Sequence, residues 1–540
     1  MATPARALLA ALVLGAAGTL AACDDPTRPD TAAPRVVIRS PSADTVVASA
    51  VTLTVVLTDD EGVASASVQV GDGPEQPLSI TPGDSVEATT LVQLAPGDNR
   101  VVVYALDRAG NRGSAERRVG RDGTPPVVSI SSPARDTLVT SRSITVRGIF
   151  SDDTGVLSAS YRIGTGAEQP VAVTPGREVP FEIPLTLPEG GGTVQVTVRD
   201  RVGNTQSASV RIGMAAQFSA ISVGEGSTCA LDAAGAAFCW GFRYDAQVPA
   251  PVAGGQRFQA LSNGGSHACG VTTDGAVYCW GRSRVATREP VEGRFRSVSA
   301  GFNYTCIVSE AGAAYCWGLN ESGQLGIGTT TITDRPTPVA GGISFKAVSA
   351  GTNHTCGLDT AGAAYCWGSA SGALGLGTAS PPATLVPAPV VGGLTFESID
   401  VGLRTSCGVT ATNQAYCWSS NSGGRPEPVA GGLSFRSIGM GGLHVCGVTP
   451  GGDAYCWGAN RNGEVGNGTR QDAQLPVRVV GGISFRTAEA SNTSSLNAGH
   501  SCGLSTDGFA YCWGTNSGSQ LGNPSVQLSA IPLPVVAPAP

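Results

Sequence analysis

Lysine is almost absent from this chain. Lys346 is the only one among its 540 residues. Charged residues make up 14% of the sequence, and the formal net charge is −7. A nucleic-acid partner would need a basic patch, so the composition argues against one. Long stretches of helical periodicity are absent beyond the N-terminus, and short alternating runs with turn signals take their place. The sequence therefore predicts an all-β protein with several domains.

Signatures of catalysis are missing as well. The chain has no His-Glu-x-x-His pair and no phosphate-binding P-loop. Because nearly all the cysteines occur in regularly spaced pairs, none of them is an obvious free thiolate. We therefore expect no enzymatic activity and no cofactor. A hydrolytic site built from scattered loop carboxylates is the alternative.

The dominant feature is a unit that occurs seven times between residue 218 and the C-terminus. Its clearest copy begins at Phe345 and ends at Gly368. A repeat of about 40 to 50 residues has the size of one propeller blade, which buries its apolar faces only when neighbouring blades stack on it. The copies therefore predict a seven-bladed β-propeller. They begin at Phe218, Phe258, Phe295, Phe345, Phe396, Phe435 and Phe485.

Every copy contains two cysteines ten positions apart. Midway between them stands a glycine, or Asn413 in the fifth copy, which indicates a left-handed residue in a tight hairpin. Counting outward from that loop places the two cysteines opposite each other, at the separation that a disulfide needs. The seven tryptophans all follow the second cysteine and are expected in the core. The predicted disulfides are Cys229–Cys239, Cys269–Cys279, Cys306–Cys316, Cys356–Cys366, Cys407–Cys417, Cys446–Cys456 and Cys502–Cys512.

The histidines invite a metal hypothesis, because each stands two residues before the first cysteine of a copy. Equivalent residues on stacked blades lie about 10 Å apart, whereas a zinc–nitrogen bond is about 2.1 Å long. We therefore expect structural histidines and no metal site. The residues are His267, His354, His444 and His500.

The N-terminus has the pattern of an export signal. An apolar run from Ala7 to about Leu20 follows Arg6 and is too short to span a membrane. The segment that ends in Ala22-Cys23 resembles a bacterial lipobox, which implies cleavage before Cys23 and acylation of its thiol. An ordinary signal peptide is the alternative. We predict a signal peptide over residues 1–22 and an extended tether over 23–34, and so a lipid-anchored protein of the bacterial cell envelope, facing the surface or the periplasm.

Residues 35–122 and 123–214 are copies of each other. The motif Asp107-Arg-Ala-Gly-Asn111 returns as Asp200-Arg-Val-Gly-Asn204 after 93 residues. Alternating runs of apolar residues predict half-buried strands, and about 90 residues make one sandwich domain. These copies resemble bacterial immunoglobulin-like domains, although they contain no cysteine and no tryptophan.

Carboxylates are clustered at one point of each of these modules. Calcium prefers such groups, but Asp-Asp-x-Gly is also typical of turns between strands. No further carboxylates gather at a suitable spacing, so the turn is the favoured interpretation. The residues are Asp59, Asp60, Glu61, Asp152 and Asp153.

Each repeat continues after Trp-Gly, most fully in the third copy, where Asn320-Glu-Ser-Gly-Gln-Leu-Gly-Ile-Gly328 follows. Together with Gly-x-x-His-x-Cys, this segment resembles the regulator of chromosome condensation repeat, over residues 215–540. The resemblance implies a seven-bladed propeller from a family that includes a secreted β-lactamase inhibitor and a nuclear nucleotide-exchange factor. Copies one, two and five lack the segment, so one arc of the ring is expected to present different loops. The C-terminal strand at Pro534 is expected to complete a blade begun at Phe218.

These features favour a monomeric binding platform for a protein or glycan partner, held to the membrane by its lipid. We expect contacts from the loops at residues 320–333, 369–382 and 460–474 and from an insertion at 492–498. Inhibition of an extracytoplasmic enzyme is one alternative. Nucleotide exchange is another, which export and disulfides oppose.

Overall fold

The computed structural model describes residues 29–42, 45–47, 49–133, 137–282, 287–289, 291–369, 372–377, 383–493 and 499–538. The predicted signal peptide, Cys23 and the first part of the tether lie outside the described residues. Within these ranges the chain forms two seven-stranded sheets, seven four-stranded sheets and almost no helix. The predicted fold class, a seven-bladed β-propeller preceded by immunoglobulin-like β-sandwich modules, is confirmed.

The first module is organised around one long strand that belongs to both of its layers. Its first half pairs with β1 and β5, and its second half pairs with β4 and β6. The pairing register shifts between Thr58 and Val63, where the chain crosses from one layer to the other. Alternate residues such as Leu53, Val55 and Leu57 are buried between the layers. The strands are β1 (Arg35–Ser40), β2 (Thr45–Val47), β3 (Ala50–Val70), β4 (Gln76–Leu78), β5 (Gly83–Gln93), β6 (Gly97–Asp107) and β7 (Arg112–Arg121).

The second module repeats this arrangement. Its long strand also changes partners, with a register shift between Ser151 and Val156. Phe150 and Phe181 stack in its core with their ring centroids 4.3 Å apart. The strands are β8 (Val127–Ser132), β9 (Thr137–Val139), β10 (Ser143–Ile163), β11 (Gln169–Val171), β12 (Gly176–Thr186), β13 (Gly191–Asp200) and β14 (Thr205–Met214).

The propeller has seven blades, and each is an antiparallel sheet of four consecutive strands. The first strands of successive blades contact one another around the ring, so they line the central channel. Blades 1 to 4 contain β15 (Ala220–Gly224), β16 (Ser227–Leu231), β17 (Ala237–Gly241), β18 (Ala246–Pro251), β19 (Phe258–Asn263), β20 (Ala268–Thr272), β21 (Val277–Trp280), β22 (Thr287–Arg288), β23 (Phe295–Ala300), β24 (Tyr304–Ser309), β25 (Ala314–Gly318), β26 (Thr333–Pro338), β27 (Phe345–Ala350), β28 (His354–Asp359), β29 (Ala364–Gly368) and β30 (Thr384–Pro389).

Blades 5 to 7 contain β31 (Ser398–Val401), β32 (Thr405–Val409), β33 (Ala415–Ser419), β34 (Glu427–Pro428), β35 (Ser437–Met440), β36 (His444–Val448), β37 (Ala454–Gly458), β38 (Ala473–Arg478), β39 (Phe485–Ala490), β40 (His500–Ser505), β41 (Ala510–Thr515) and β42 (Leu528–Pro534). The outermost strands are sheet edges, and prolines within several of them remove N–H donors that could pair with another chain. These prolines include Pro336, Pro387, Pro476 and Pro532.

The hairpin between the second and third strands has the expected geometry. Gly362 has a φ of 87°, and Asn413 has a φ of 62° at the equivalent position of blade 5. Only a residue that tolerates this left-handed conformation closes the loop without strain. Cys356 then stands directly opposite Cys366 in the strand register.

Seven disulfides join these cysteines within the described part of the chain, each inside one blade. The S–S distances run from 2.05 to 2.13 Å, and the Cα–Cα distances are 4.0 or 4.1 Å. Five of the disulfides pack in one core with the Phe and Trp of the next blade, as the Cys306–Cys316 bond does with Phe345 and Trp367. Aromatic rings on one face and a disulfide on the other therefore fill the space between blades.

The predicted ring closure is wrong. The C-terminal strand β42 pairs with β41 and completes blade 7, which consists of strands from a single repeat. The residues just before blade 1 make the closing contacts instead: Ala216 N donates to Val535 O at 2.8 Å, and Phe218 N donates to Gly508 O at 2.8 Å. Ala537 continues this seam and packs against the core of the second module.

Candidate binding face

One end of the propeller carries the loops that differ most between blades. In an antiparallel blade, the connection between the first and second strands and the connection between the third and fourth strands lie at the same end. We call this end the loop face. It contains residues 320–333 and 460–474, the described parts of 369–382, and the start of the insertion in blade 7.

A buried asparagine organises the long loop of blade 3. The Nδ2 group of Asn320 donates to the carbonyl oxygens of Thr329 and Thr331, both at 2.9 Å. Its Oδ1 accepts the backbone N–H of Leu325 at 3.0 Å. One side chain therefore satisfies three backbone groups and fixes the path of the loop. The equivalent residues of blades 6 and 7 are Asn460 and Asn516.

The next blade holds the same loop from the other side. The carbonyl oxygen of Gln324 accepts Trp367 Nε1–H at 2.9 Å and the Thr355 hydroxyl at 2.8 Å. All three residues are fully buried. In blades 6 and 7 the accepting carbonyls belong to Glu464, bonded by Trp513 and Ser501, and to Gln520, bonded by Trp240 and Thr228. Three tryptophans, Trp240, Trp367 and Trp513, therefore join blades by hydrogen bonds as well as by packing.

The first residue after each organising asparagine is exposed and differs in charge. It is Glu321 in blade 3, Arg461 in blade 6 and Ser517 in blade 7. A fixed backbone thus presents an acidic, a basic and a neutral side chain at equivalent places on the loop face.

Blades 1, 2 and 5 lack this loop, but the expected single arc is wrong, because blade 5 lies apart from the other two in the ring. In blade 1 a 3-10 helix over Phe242–Tyr244 replaces the loop, and the Tyr244 hydroxyl donates to Asn263 Oδ1 at 3.1 Å. In blade 5 a 3-10 turn over Ser420–Ser422 leads to the short strand β34.

The described start of the insertion in blade 7 contacts a blade on the opposite side of the ring, and residues 494–498 lie outside the described residues. Asn492 Oδ1 accepts a hydrogen bond from the Thr352 hydroxyl of blade 4 at 3.4 Å. The segment of Ser491 and Asn492 thus lies at the mouth of the central channel on the loop face.

The histidines link neighbouring blades through hydroxyl groups. The Nε2 atom of His354 lies 2.9 Å from Ser406 Oγ of the next blade, and that hydroxyl donates to the carbonyl of Ala373 at 2.8 Å. Burial lowers the pKa of His354 to about 3, so the ring is neutral at pH 7. The other pairs are His267 with Thr305, His444 with Ser501 and His500 with Thr228. Each histidine uses its own partner, so the four do not converge on one ion.

Two carboxylates stand among the strands that line the channel. Asp400 accepts hydrogen bonds from Ser349 Oγ, Val401 N and Met440 N at 2.7 to 2.9 Å. Most equivalent positions hold a serine, whereas blade 7 has Glu489. Burial, and then the charge of Asp400, raises the pKa of Glu489 to about 8. This pair was not predicted from the sequence, where its signal is the replacement of serine at one repeat position.

A second contact between blades was also not predicted. A basic residue follows the first Phe of four repeats and donates to the Phe carbonyl of the next blade, as Lys346 Nζ does to Phe396 O at 2.8 Å. The recurrence of Phe-Arg or Phe-Lys was the available signal. The other three are Arg296, Arg436 and Arg486.

The modules bring more carboxylates together than expected. In the first module, Asp30 and Asp107 join Asp59, with one ligand oxygen of each within 4.8 Å of the others. The premise that no further carboxylates gather near Asp59 was therefore wrong, although turn hydrogen bonds are present, such as Glu61 N to Asp59 Oδ1 at 3.1 Å. Such a group of oxygens could hold a hard cation. The equivalent group of the second module is Asp122, Asp152 and Asp200.

Comparisons with known proteins identify the repeats. Family models of the regulator of chromosome condensation (RCC1) repeat match residues 259–285, 295–324, 311–358, 435–464 and 451–496. A model of the bacterial Ig domain matches residues 126–198. No curated protein matches the chain in sequence.

Several solved structures are similar in shape. Human WBSCR16 is 20% identical, with a TM-score of 0.49, and the match covers 57% of this chain and 92% of that one. Prp20p from Saccharomyces cerevisiae, described with its binding to Gsp1p and histones, is 18% identical, with a TM-score of 0.45 and coverage of 50% and 79%. The fibronectin(III)-like modules of Clostridium thermocellum CbhA are 18% identical, with a TM-score of 0.22 and coverage of 33% and 94%.

None of the helical segments in the described ranges has the length and apolar character of a membrane span. Buried disulfides at this density indicate folding in an oxidising, extracytoplasmic compartment. The chain therefore combines a bacterial immunoglobulin-like domain with RCC1 repeats that form a disulfide-bonded, seven-bladed propeller.

Proposed function

We propose that this protein is a lipid-anchored component of the bacterial cell envelope that binds a protein or glycan partner through the loop face and catalyses no reaction. The observation that carries the proposal is the contrast between fixed loop backbones and variable loop side chains. The framework around Asn320 recurs in blades 6 and 7, while Glu321 and Arg461 stand at equivalent exposed sites. Ordered loops on a rigid scaffold lose little entropy when they bind.

The anchor rests on the lipobox-like segment that ends at Cys23, and the two modules would act as a spacer. Growth of the producing bacterium, or of a bacterial expression host, with a radiolabelled fatty acid tests this part of the proposal. Label should enter the wild-type protein and be lost in a Cys23→Ser variant. Equal labelling of both proteins would rule out acylation at Cys23.

The binding role is tested by capture from envelope extract with the full-length chain in detergent. Charge reversal at Glu321 and Arg461 should weaken capture of the partner by about tenfold, since each change puts a like charge opposite a contact. Charge reversal at Asp507, an exposed residue at the opposite end of blade 7, is the matched control and should have no effect. If the variants with reversed charge at Glu321 and Arg461 captured as much partner as the control, the binding surface would lie elsewhere on the protein.

The nature of the captured molecule separates the alternatives. A glycan or a protein from a partner cell supports adhesion, whereas an enzyme of wall synthesis supports inhibition. Turnover of a glycan array would favour catalysis and contradict the non-catalytic proposal. Nucleotide exchange is not favoured, because an oxidising compartment does not contain a cytosolic switch protein.

A further inference from the structure

In four blades, one aliphatic side chain fills the groove between a disulfide and the tryptophan of the next blade. Leu325 packs in one core with Cys316 and Trp367, and all three side chains are fully buried. The carbonyl of Gln324, one residue earlier, accepts the Trp367 N–H. The equivalent aliphatic residues are Leu374, Val465 and Leu521, each fully buried.

The same groove between blades 5 and 6 has no such side chain. The chain passes directly from Ser420–Ser422 to β34. Cys417, Val445 and Trp457 line the groove, and all three are partly exposed. Among the described residues, Trp457 Nε1 has no hydrogen-bond acceptor, whereas Trp240, Trp367 and Trp513 each donate to the carbonyl of a long loop. Trp418, which packs with Leu374, also has no acceptor among the described residues. We call this position the blade 5/6 groove.

We propose that the blade 5/6 groove is a docking site for a loop of a partner protein that inserts a Leu or Val side chain and offers a backbone carbonyl to Trp457. The inference rests on the proposed binding function and names one place where the partner docks. The filled grooves define the chemistry of the occupant, because all four hold an aliphatic side chain and three of them also supply a carbonyl to the tryptophan. The aliphatic side chain would cover Val445 and the Cys417 sulfur.

A second copy of this chain does not supply the occupant from its own long loops. Leu325, Leu374, Val465 and Leu521 are fully buried in their own grooves, so withdrawing one would expose another tryptophan. The groove between blades 2 and 3 is excluded from the proposal, because Trp317 is only 8% exposed and residues 283–286 lie outside the described range.

The test uses the full-length chain in detergent and a cyclic peptide with the sequence of residues 320–328, Asn-Glu-Ser-Gly-Gln-Leu-Gly-Ile-Gly. Calorimetry should show saturable binding with one site. Binding should weaken about tenfold when the peptide leucine is replaced by alanine, since most of the buried apolar area is lost. No saturable binding, or equal binding of both peptides, would overturn the proposal.

Two protein variants locate the peptide. Trp457→Phe keeps an aromatic ring but removes the N–H donor, and should weaken binding severalfold. Trp280→Phe makes the same change in the groove between blades 1 and 2, which Tyr244 fills, and should leave binding unchanged. A reversed order of these effects contradicts the assignment to this groove.

A second measurement does not depend on the folding of a variant. A bound peptide should slow reduction of the Cys407–Cys417 disulfide by dithiothreitol severalfold, because it covers the exposed sulfur. An unchanged rate at a saturating peptide concentration would place the peptide elsewhere. If the peptide fails to bind but the loop face still captures an envelope partner, only the groove assignment fails. If both fail, the proposed function fails with it.

Discussion

The propeller and the two modules are built from antiparallel strands, but only the propeller adds covalent bonds to its tight bends. In the propeller, a covalent bond such as Cys356–Cys366 joins the two strands next to the turn. In the modules, a buried carboxylate holds the turn: Asp200 accepts the N–H groups of Val202, Gly203 and Asn204 at 2.6 to 2.9 Å. Strand hairpins of one fold class can therefore depend on the redox state in one region and on a hydrogen-bonded carboxylate in another.

Reduction of the disulfides should give the largest difference between the regions. Each bond closes a short loop and contributes about 3 kcal/mol to the free energy of unfolding, and the propeller has seven within its described residues. We expect dithiothreitol in mild urea to abolish the cooperative transition of the propeller. The modules should unfold as before, because they contain no cysteine.

Tryptophan fluorescence measures this effect, since all seven tryptophans lie in the propeller, and far-UV circular dichroism follows the modules as well. The same urea titration without reductant is the control. The expected difference would be wrong if reduction shifted the urea midpoint of the modules. It would also be wrong if reduction left the fluorescence transition of the propeller unchanged.

Loss of a turn carboxylate should act in the opposite region. In Asp200→Ala, three backbone N–H groups and the Asn204 side chain lose their acceptor in a buried site. Leaving such donors unsatisfied costs about 3 kcal/mol. We expect a lower free energy of unfolding for the second module and an unchanged tryptophan transition. Asp232→Ala in blade 1 is the matched control, because Asp232 accepts two backbone N–H groups in a partly exposed turn. A larger loss in the control would contradict the buried role of Asp200.

The repeat made the propeller predictable, whereas contacts between repeats were harder to predict. Spacing around Gly362 is local, so it determines the strand pairing of Cys356 and Cys366 without knowledge of the ring. The closure depends instead on hydrogen bonds between Ala216 and Val535, which are more than 300 positions apart in the sequence. The predicted strand exchange was therefore wrong even though the blade count was right.

In the candidate site, too, features set by local sequence were predictable and contacts between distant segments were not. The long loops were located from the motif at Asn320, and the asparagine then proved to bond the loop backbone. The blade 5/6 groove could not be predicted, because it is defined by the absence of a loop in blade 5 next to a tryptophan of blade 6. The carboxylates near Asp59 come from segments far apart in the chain, so their spacing gave no signal.

Acid should weaken the propeller through its buried histidines. The pKa values of His267 and His444 fall to about 4 and that of His354 to about 3, with burial as the first cause. The unfolded chain binds protons below a pKa of about 6.5 while the folded propeller does not. Stability is therefore complete above pH 6.5 and is lost as the pH falls toward 4.

At pH 5 each of these histidines should lower the free energy of unfolding by about 2 kcal/mol relative to pH 7. In His354→Gln, the side chain keeps a hydrogen-bonding group but does not titrate, so the difference between pH 7 and pH 5 should shrink. Urea titrations followed by tryptophan fluorescence at both pH values measure it. An undiminished difference in the variant would show that His354 does not contribute.

The smallest expected effect has the opposite pH dependence and concerns Glu489. Its folded pKa of about 8 lies above that of an unfolded glutamate, so the folded state favours the protonated form. The resulting contribution is complete below pH 4.5 and is lost as the pH rises through 8. Glutamine does not ionise, so the free energy of unfolding of Glu489→Gln should be about 1 kcal/mol higher than that of the wild type at pH 9. The difference is no larger because solvent at this partly exposed position screens the charge. At pH 4.5 the two proteins should be equally stable.

Glu321→Gln, on the exposed loop of blade 3, is the matched control and should have no effect on stability at either pH. If Glu489→Gln stabilises the protein equally at both pH values, the gain comes from packing. The charge of Glu489 near Asp400 would then not determine the stability of blade 7.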